Sequence, residues 1–327
     1  MEIKRIMQSL AFTGGVLGFA GLLNYKINHF AVSENLLFYN AENFFEWKGC
    51  RIFYKQSGIK GSPLLLLHDI NAASSAEEWT NILSELSENH RVYVLDLLGC
   101  GRSDKPAITY TNFLYVEIIL EFIKSVICEK TFVIASSDTS QIALMASAYD
   151  SSKFSGFVFI NPPSIEATGR TPDSRTGLVM KLLQFPIVGS LLYNEIYSRK
   201  NIEMNFKEDY FFDPSKVTSK LLQIYYESAH LQNGNGRYLE ASYVGRYLNM
   251  DINHALKKST LPLSIYYSDS YKNKELIARS WKKRNSGIVL TKLTHTGLYP
   301  QLEMPKRTAA LIEASLLRAM RSRCTLH

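Results

Sequence analysis

The amino-acid sequence predicts an α/β fold in which helices flank a mostly parallel central sheet. Two largely apolar runs, at residues 63–68 and 92–98, have the composition of strands that are buried on both faces. Apolar residues recur at helical spacing between and after these runs, so strands and helices alternate up to residue 160. Such alternation is typical of parallel sheets, because parallel neighbours are joined by crossover helices.

The elements of the predicted core follow in chain order. Two short strands at residues 44–47 and 51–55 flank Lys48-Gly49, a dipeptide suited to a hairpin turn. The later elements of this first part are predicted as strand 63–68, helix 76–87, strand 92–98, helix 111–127, strand 132–135, helix 138–149 and strand 157–160. Together they make up the first part of the core, residues 43–161.

Residues 162–260 interrupt the alternation with helical patterning. A helical insertion between the strands of a parallel sheet is typical of a lid. The second part of the core, residues 261–322, restores the alternation. Its predicted elements are strands at 263–267 and 288–293 and a helix at 304–320.

An uncharged run of 18 residues lies near the start of the chain, at 6–23. A spanning helix needs about 17–25 mostly apolar residues, so we expect residues 1–24 to form a single-pass anchor that contacts membrane lipid. Lys4 and Arg5 precede the run, which by the positive-inside rule places the main domain on the extracytoplasmic side. A linker is predicted over 25–42. A cleaved signal peptide and a buried or amphipathic helix are the alternative interpretations.

Composition excludes several classes of function. The net charge of +7 would suit a nucleic-acid partner, but none of the usual nucleic-acid-binding motifs occurs. The four cysteines lack metal-binding spacing, and neither a phosphate-binding loop nor a dinucleotide-binding motif is found. We therefore expect no nucleic-acid partner, no metal and no cofactor.

Three motifs follow or precede predicted elements of the core. They are His-Asp-Ile at 68–70, Asp-Leu-Leu-Gly-Cys-Gly-Arg-Ser at 96–103 and Gly-Leu-Tyr-Pro-Gln-Leu-Glu-Met-Pro at 297–305. In these stretches the chain resembles the lidded α/β-hydrolase family, whose patterns there are His-Gly-x, D-x-x-G-x-G-x-S and G-H-x-P-x-x-E-x-P. The resemblance implies hydrolysis of an ester or another acyl bond by a serine, a histidine and an acid.

The resemblance also implies a nucleophile on the sharp turn between the fifth strand and the next helix, in the pattern G-x-S-x-G. Here that turn reads Ala135-Ser136-Ser137-Asp138-Thr139, so Ser137 is the candidate nucleophile. The polar residues of the turn also suit the N-cap of the following helix. In a dehalogenase-like alternative, Asp138 would be the nucleophile.

The other two positions of the implied triad carry unusual residues. The base position falls on Leu298, which cannot accept a proton, and His295 in the same loop is the candidate base. The acid position falls on Tyr271, and Asp269 is the candidate acid, with helix capping as its alternative role.

The resemblance further implies an oxyanion hole made by two backbone N–H groups, which here belong to Ile70 and Asp138. The carboxylates of Asp69 and Asp138 are expected nearby. Negative charge there would oppose the charge that develops on a reacting carbonyl oxygen.

Two functions therefore remain open. The first is a membrane-anchored serine hydrolase that acts on a small apolar ester or lipid-like substrate. The second is a family member that binds an apolar ligand or a protein partner without turnover. Two further features are also open: residues 186–192 either form a buried lid helix or dip into the membrane interface, and a group of lid tyrosines either packs between helices or lines an apolar pocket. These tyrosines are Tyr225, Tyr226, Tyr238, Tyr243 and Tyr247.

Overall fold

The structure, a computed structural model, describes residues 2–38, 43–271 and 273–324, with side chains from 14 to 321 within those ranges. The described strands are β1 Phe44–Trp47, β2 Cys50–Ser57, β3 Pro63–Leu67, β4 Arg91–Leu95, β5 Thr131–Ser136, β6 Phe154–Ile160, β7 Leu263–Ser268 and β8 Val289–Leu293. They form one sheet in the order β1-β2-β4-β3-β5-β6-β7-β8. β2 is antiparallel to β1 and β4, and the other neighbouring pairs are parallel, which confirms the predicted mostly parallel sheet.

Helices connect most of these strands. Within the described residues they are α1 Glu2–Ala31, α2 Thr80–Ser87, α3 Asn112–Phe122, α4 Thr139–Tyr149, α5 Ile165–Thr168, α6 Ser174–Gln184, α7 Val188–Ile196, α8 Arg199–Asn205, α9 Ser219–Gly234, α10 Arg237–Val244, α11 Asn253–Lys258, α12 Lys274–Arg284, α13 Pro300–Glu303 and α14 Pro305–Cys324. Short 3₁₀ turns cover Ala76–Trp79, Ser151–Lys153 and Pro214–Lys216, and π-helical turns cover Ile123–Ile127 and Phe206–Tyr210.

Two hydrophobic clusters cover the two faces of the sheet. On one face, α3, α4 and α12 contribute Phe122, Ile142 and Trp281, all fully buried. On the other face, α2 and α14 contribute Ile82 and Ile312. Each such side chain stabilises the fold by about 1.5–3 kcal/mol. The packed sheet thus provides a rigid base for the loops at the carboxyl ends of its strands.

Helix α1 continues beyond the predicted anchor. The predicted linker over 25–42 is helical as far as Ala31, and residues 39–42 lie outside the described part of the chain. The reason is tertiary packing: Asn24 is buried and donates to the Ile187 carbonyl (3.0 Å), while Asn194 donates to the Asn24 side chain (2.9 Å). These bonds attach the second half of α1 to α7.

Among the described residues, no single helix combines the length and the hydropathy needed to cross a bilayer. The helix pair Ser174–Gln184 and Val188–Tyr210 meets both criteria together, with a bend of 101° between its members. Residues 186–192 therefore form the bend and the start of α7. Gly189 is buried there, whereas Val188 and Leu192 are exposed.

Helices α5 to α11 connect β6 to β7 and cover loops at the carboxyl ends of the strands. Tyr193 of α7 and Tyr225 of α9 pack in one cluster with Ala72, Leu298 and Tyr299. Ala72 follows β3, and Leu298 and Tyr299 precede α13. The inserted helices therefore pack against the loops at the strand ends.

The D-x-x-G-x-G-x-S segment holds this arrangement together. The Asp96 carboxylate accepts hydrogen bonds from the backbone N–H groups of Ala76 (2.5 Å) and Arg102 (2.8 Å). Gly101 has φ +48°, and a Cβ there would lie 2.2 Å from an Asp96 oxygen, so the turn requires glycine. α9 breaks around Gln232. The side-chain amide of Gln232 donates to the Ser103 carbonyl and accepts from the Lys105 N–H.

Candidate functional site

The turn after β5 has the geometry expected of a nucleophile position. Ser137 lies between β5 and α4 with φ +46°, a left-handed conformation that is costly for a residue other than glycine. Its N–H donates to the Ile160 carbonyl (2.8 Å), which fixes the turn against β6. Ser137 is 8% exposed, and its hydroxyl makes no hydrogen bond with any described residue.

The N-cap interpretation of this turn is not supported by the contacts. Asp138 is the N-cap residue of α4, but its side chain makes no capping bond. It accepts instead from the Tyr243 hydroxyl (2.7 Å). The Thr139 hydroxyl donates to the His68 carbonyl (2.5 Å), so this residue ties the turn to the loop after β3.

The apolar residue Leu298 occupies the base position. Leu298 is buried among the inserted helices, and its N–H donates to the Tyr210 carbonyl (2.7 Å). His295, the candidate base, is exposed with φ +56°, and its ring packs at a tilt of 59° against Phe212 with 5.2 Å between centroids. Among the described contacts, none joins His295 to Ser137.

The candidate acid lies beside the candidate base, but not beside its ring. The Asp269 carboxylate accepts from Ser270 (2.9 Å), lies 3.5 Å from the Lys292 ammonium and accepts from the backbone N–H of His295. Burial alone would raise the pKa of Asp269, but these bonds outweigh burial and lower it. The structure therefore brings Asp269 and His295 together through the main chain, and their catalytic roles stay predictions.

A residue that sequence reasoning missed fixes the loop of the base position. Asn161 follows β6 with φ +49°. Its side-chain N–H groups donate to the Leu298 carbonyl and the Ser268 hydroxyl (2.9 Å each), and its carbonyl oxygen accepts from the Ser268 N–H. The signal was an asparagine directly after an apolar strand, ahead of Pro162.

The two N–H groups of the implied oxyanion hole converge, but on a carboxylate of the chain itself. Asp69 Oδ1 accepts from the N–H of Ile70 (2.8 Å) and from the N–H of Asp138 (3.2 Å). Asp69 Oδ2 accepts from the Tyr299 hydroxyl (3.1 Å). The Asp69 side chain thus folds back onto both donors, and the role of Ile70 and Asp138 as an oxyanion hole stays a prediction.

A second carboxyl group supports this arrangement from beneath. Glu78 Oε2 accepts from the Asp69 N–H (3.1 Å), and Glu78 Oε1 accepts from Gln301 (2.7 Å). Burial is the main cause that raises the pKa of Glu78 to about 8, and the charge of Asp69 is the second cause. Burial and the Asp138 charge likewise raise the pKa of Asp69, and burial raises the pKa of Asp138.

His68 is a structural member of the same loop. Its Nδ1 lies 2.7 Å from the Asp69 carbonyl, and its Nε2 accepts from the Leu97 N–H (3.0 Å). Burial lowers the pKa of His68. A neutral ring with the proton on Nδ1 satisfies both bonds, so His68 joins the loop after β3 to the segment after β4.

A cavity of about 250 Å³ opens on this site beneath the inserted helices. Its walls include the carboxyl groups of Asp69 and Glu240 and the rings of Tyr197, Tyr210 and Tyr243. Among the described side chains, no group of three or more His, Cys, Asp or Glu residues is arranged to hold a metal ion.

Comparison with known proteins gives a consistent family assignment. The family model described as "Alpha/beta hydrolase family" matches residues 64–311. The 2-hydroxy-6-oxo-6-(2'-aminophenyl)hexa-2,4-dienoic acid hydrolase of Metapseudomonas resinovorans is 34% identical over 86 residues, which are 26% of this chain and 29% of that protein. The chain spans less than half the length of the curated relatives it matches.

Solved structures share the fold at low identity. A serine hydrolase involved in carbazole degradation superimposes with a TM-score of 0.67 at 19% identity, over 84% of this chain and 98% of that chain. A membrane phospholipase A superimposes with a TM-score of 0.65 at 18% identity, over 97% of this chain and 99% of that chain. At these identities the likeness shows the fold alone.

Proposed function

Since the chain belongs to the alpha/beta hydrolase family, we propose that it is a membrane-associated member that binds a small ligand beneath its inserted helices and does not hydrolyse it with a serine–histidine–acid triad. The observation that carries this proposal is the hydrogen bonding of Asp69 Oδ1, which accepts from both N–H groups of the implied oxyanion hole. A substrate oxygen has no place between those donors.

The energetics support binding without turnover. Loss of one oxyanion donor costs about 2.7–4 kcal/mol of transition-state stabilisation. Two like charges about 4 Å apart cost about 4 kcal/mol at an effective dielectric constant near 20. A neutral Asp69 on the two donors imposes the first penalty, and an ionised Asp69 would impose both. Ser137 also lacks a base, because Leu298 occupies that position and a serine without a base is a weak nucleophile at neutral pH.

Fluorophosphonate labelling tests this part of the proposal. The probe reacts with activated serines and needs no known substrate. We expect no labelling of the folded full-length protein beyond the level of the Ser137→Ala variant. Labelling of the wild type that disappears in Ser137→Ala would show an activated nucleophile and overturn the proposal.

A second candidate function is hydrolysis of a small apolar ester or lipid-like substrate by Ser137. Two observations favour it: the strained φ of +46° and the unpartnered hydroxyl are both features of a working nucleophile. This candidate requires Asp69 to leave the backbone donors when substrate enters. The same labelling experiment decides between the two, since only the second function activates Ser137.

Membrane association is proposed from the exposed apolar side chains of the outer helices. Exposed apolar side chains of α1 include Val16, Phe19 and Leu22. A further row runs along α6, the bend and α7, and we call it the apolar stripe: Leu178, Leu182, Phe185, Val188, Leu192 and Ile196. Exposed apolar side chains in such number on neighbouring helices are typical of membrane contact. The membrane phospholipase A, which matches 97% of the chain, is a relative in fold with a membrane function.

The extracytoplasmic orientation remains part of this proposal, on the basis of Lys4 and Arg5 ahead of the apolar run. Cys128 is exposed and offers a reporter. In a background in which Cys50, Cys100 and Cys324 are changed to serine, we expect a membrane-impermeant maleimide to label the protein that keeps Cys128 but not its Cys128→Ser derivative in intact cells. Equal labelling of the two proteins, with Cys128 reacting only after lysis, would place the domain on the other side.

A further inference from the structure

The cavity beneath the inserted helices has an electrostatic character that the family's acyl chemistry does not use. Asp69 and Glu240 both contribute carboxyl groups to its wall. Of the described residues that line it, none is a lysine, an arginine or a histidine. The cavity is therefore acidic by composition and has no matching positive charge in its wall.

The remaining wall is rich in aromatic rings. Tyr197, Phe206, Tyr210, Tyr225 and Tyr243 all line the cavity, and Phe206 and Tyr225 meet edge to face with 4.7 Å between centroids. The faces of aromatic rings attract cations, and cages of such rings bind ammonium groups. Aromatic rings combined with carboxyl groups favour a cationic ligand over a neutral or an anionic one.

One buried polar group in the wall has no partner. Tyr225 is 2% exposed, and its hydroxyl forms no hydrogen bond with any described residue. Buried hydroxyl groups are nearly always hydrogen-bonded in folded proteins. Burial raises the pKa of this hydroxyl, and the charges of Glu78 and Asp69 raise it further. An occupant with a polar group would satisfy this hydroxyl, which makes Tyr225 an independent sign of a ligand.

Of the two carboxyl groups in the cavity wall, Glu240 is the one on which no basic group of the described residues is seen to act. The Tyr197 hydroxyl donates to Glu240 (2.5 Å), but burial still raises the pKa of that carboxyl. Lys274 is the basic group that acts on Asp69 and Asp138, and its ammonium donates to the backbone carbonyls of Asn161 and Pro162. A cation in the cavity would supply the compensation that Glu240 lacks.

We propose that this cavity binds a small organic cation with one ammonium group, which pairs with Glu240 and is enclosed by the aromatic rings. The volume of about 250 Å³ limits the ligand, since pockets for drug-sized molecules measure about 300–1,000 Å³. The enclosed space therefore favours a small ligand. The inference deepens the proposed function, because it names the ligand class of the same site.

Isothermal titration calorimetry on the full-length protein in detergent tests the charge requirement. The probes are choline and its neutral carbon isostere 3,3-dimethylbutan-1-ol, which differ in charge but hardly in shape. We expect choline to bind at least tenfold more tightly than the alcohol. Equal binding of the two probes to the wild type, or no binding of choline, would overturn the proposal without recourse to any variant.

Variants locate the site. Glu240→Gln keeps the shape of the side chain and removes its charge, and we expect choline affinity to fall at least tenfold. Glu203→Gln is the matched control, because the Glu203 side chain on α8 is 43% exposed, pairs with Lys207 (2.6 Å) and does not line the cavity. We expect Glu203→Gln to bind like the wild type and Tyr225→Phe to bind more weakly. An unchanged affinity in Glu240→Gln would contradict the proposal. Calorimetry does not depend on turnover, so fluorophosphonate labelling can fail or succeed separately.

Discussion

Asp69 and Glu78 form one hydrogen-bonded unit of two carboxyl groups. Glu78 accepts the Asp69 N–H, and Asp69 accepts the N–H groups of Ile70 and Asp138. Because both side chains are buried, ionisation of one makes ionisation of the other more costly. The unit therefore tends to retain protons near neutral pH, and a neutral Asp69 occupies the backbone donors without placing a full charge beside Ser137.

The raised pKa of Glu78 gives stability a definite pH dependence. The folded protein holds this proton up to about pH 8, whereas an unfolded glutamate releases it near its ordinary pKa of 4.5. The stabilisation is therefore complete below about pH 4.5 and is lost as the pH rises to about 8. Between these two values the free energy of unfolding falls by about 1.4 kcal/mol for each pH unit. We expect Glu78→Gln to flatten this slope.

Denaturant unfolding at a series of pH values measures this effect. Glu88→Gln is the matched control, because Glu88 is exposed at the end of the same helical region. The control is expected to keep the wild-type slope. Parallel slopes for the wild type and Glu78→Gln would show that the Glu78 proton is not held by folding.

The backbone at Ser137 is expected to store strain. A φ of +46° costs a residue with a Cβ about 1 kcal/mol or more, and glycine adopts it freely. We therefore expect Ser137→Gly to be more stable than Ser137→Ala by about 1 kcal/mol in thermal or denaturant unfolding. Equal stabilities would mean that the turn relaxes in solution.

At the scale of elements, α1 is joined to the inserted helices by polar contacts. The buried carboxylate of Glu227 in α9 accepts from the backbone N–H groups of Leu36 (2.9 Å) and Leu37 (3.0 Å). Gln223 donates to the Ala31 carbonyl (3.1 Å). The segment after α1 is thereby held to the helices that cover the site.

We expect Glu227→Ala to release this segment. Two N–H groups would lose their acceptor, at a cost of about 1–3 kcal/mol for each one that stays buried. Hydrogen–deuterium exchange should accelerate at Leu36 and Leu37 well before it accelerates in β5. Glu34→Ala, at an exposed position in the same segment, is the control that should leave exchange unchanged. Unaltered exchange in Glu227→Ala would show that other contacts hold the segment.

The sequence predicted the elements whose patterns are local and missed the contacts that depend on tertiary packing. The fully buried runs of β3 and β5 are recognisable from composition, and the turn at Ser137 follows from the strand that precedes it. The continuation of α1 to Ala31 depends on partners more than 150 residues away, such as Asn194. Likewise, whether Asp69 points toward the Asp138 N–H or away from it is a matter of side-chain geometry that no pattern encodes.

At the scale of the whole molecule, the site and the apolar stripe belong to the same helices. α7 presents Leu192 outward and Tyr193 inward, and Tyr193 packs with the loop after β3. α1 joins the assembly through Asn194 on α7. A bilayer in contact with the stripe would therefore lie on the outer side of the helices that enclose the cavity, so a small ligand could exchange at the membrane surface.

This arrangement is tested by the depth of fluorescent labels in a background in which Cys50, Cys100, Cys128 and Cys324 are changed to serine. An environment-sensitive dye on Leu182→Cys or Leu192→Cys is expected to emit at shorter wavelength in lipid vesicles than the same dye on Leu276→Cys. Leu276 is the matched control, because it is 66% exposed on α12, outside the stripe. Quenching by brominated lipids should follow the same order, since a dye at the acyl boundary meets the bromine atoms. If the three positions gave equal emission and equal quenching, the stripe would face water, and membrane contact would be restricted to the N-terminal helix.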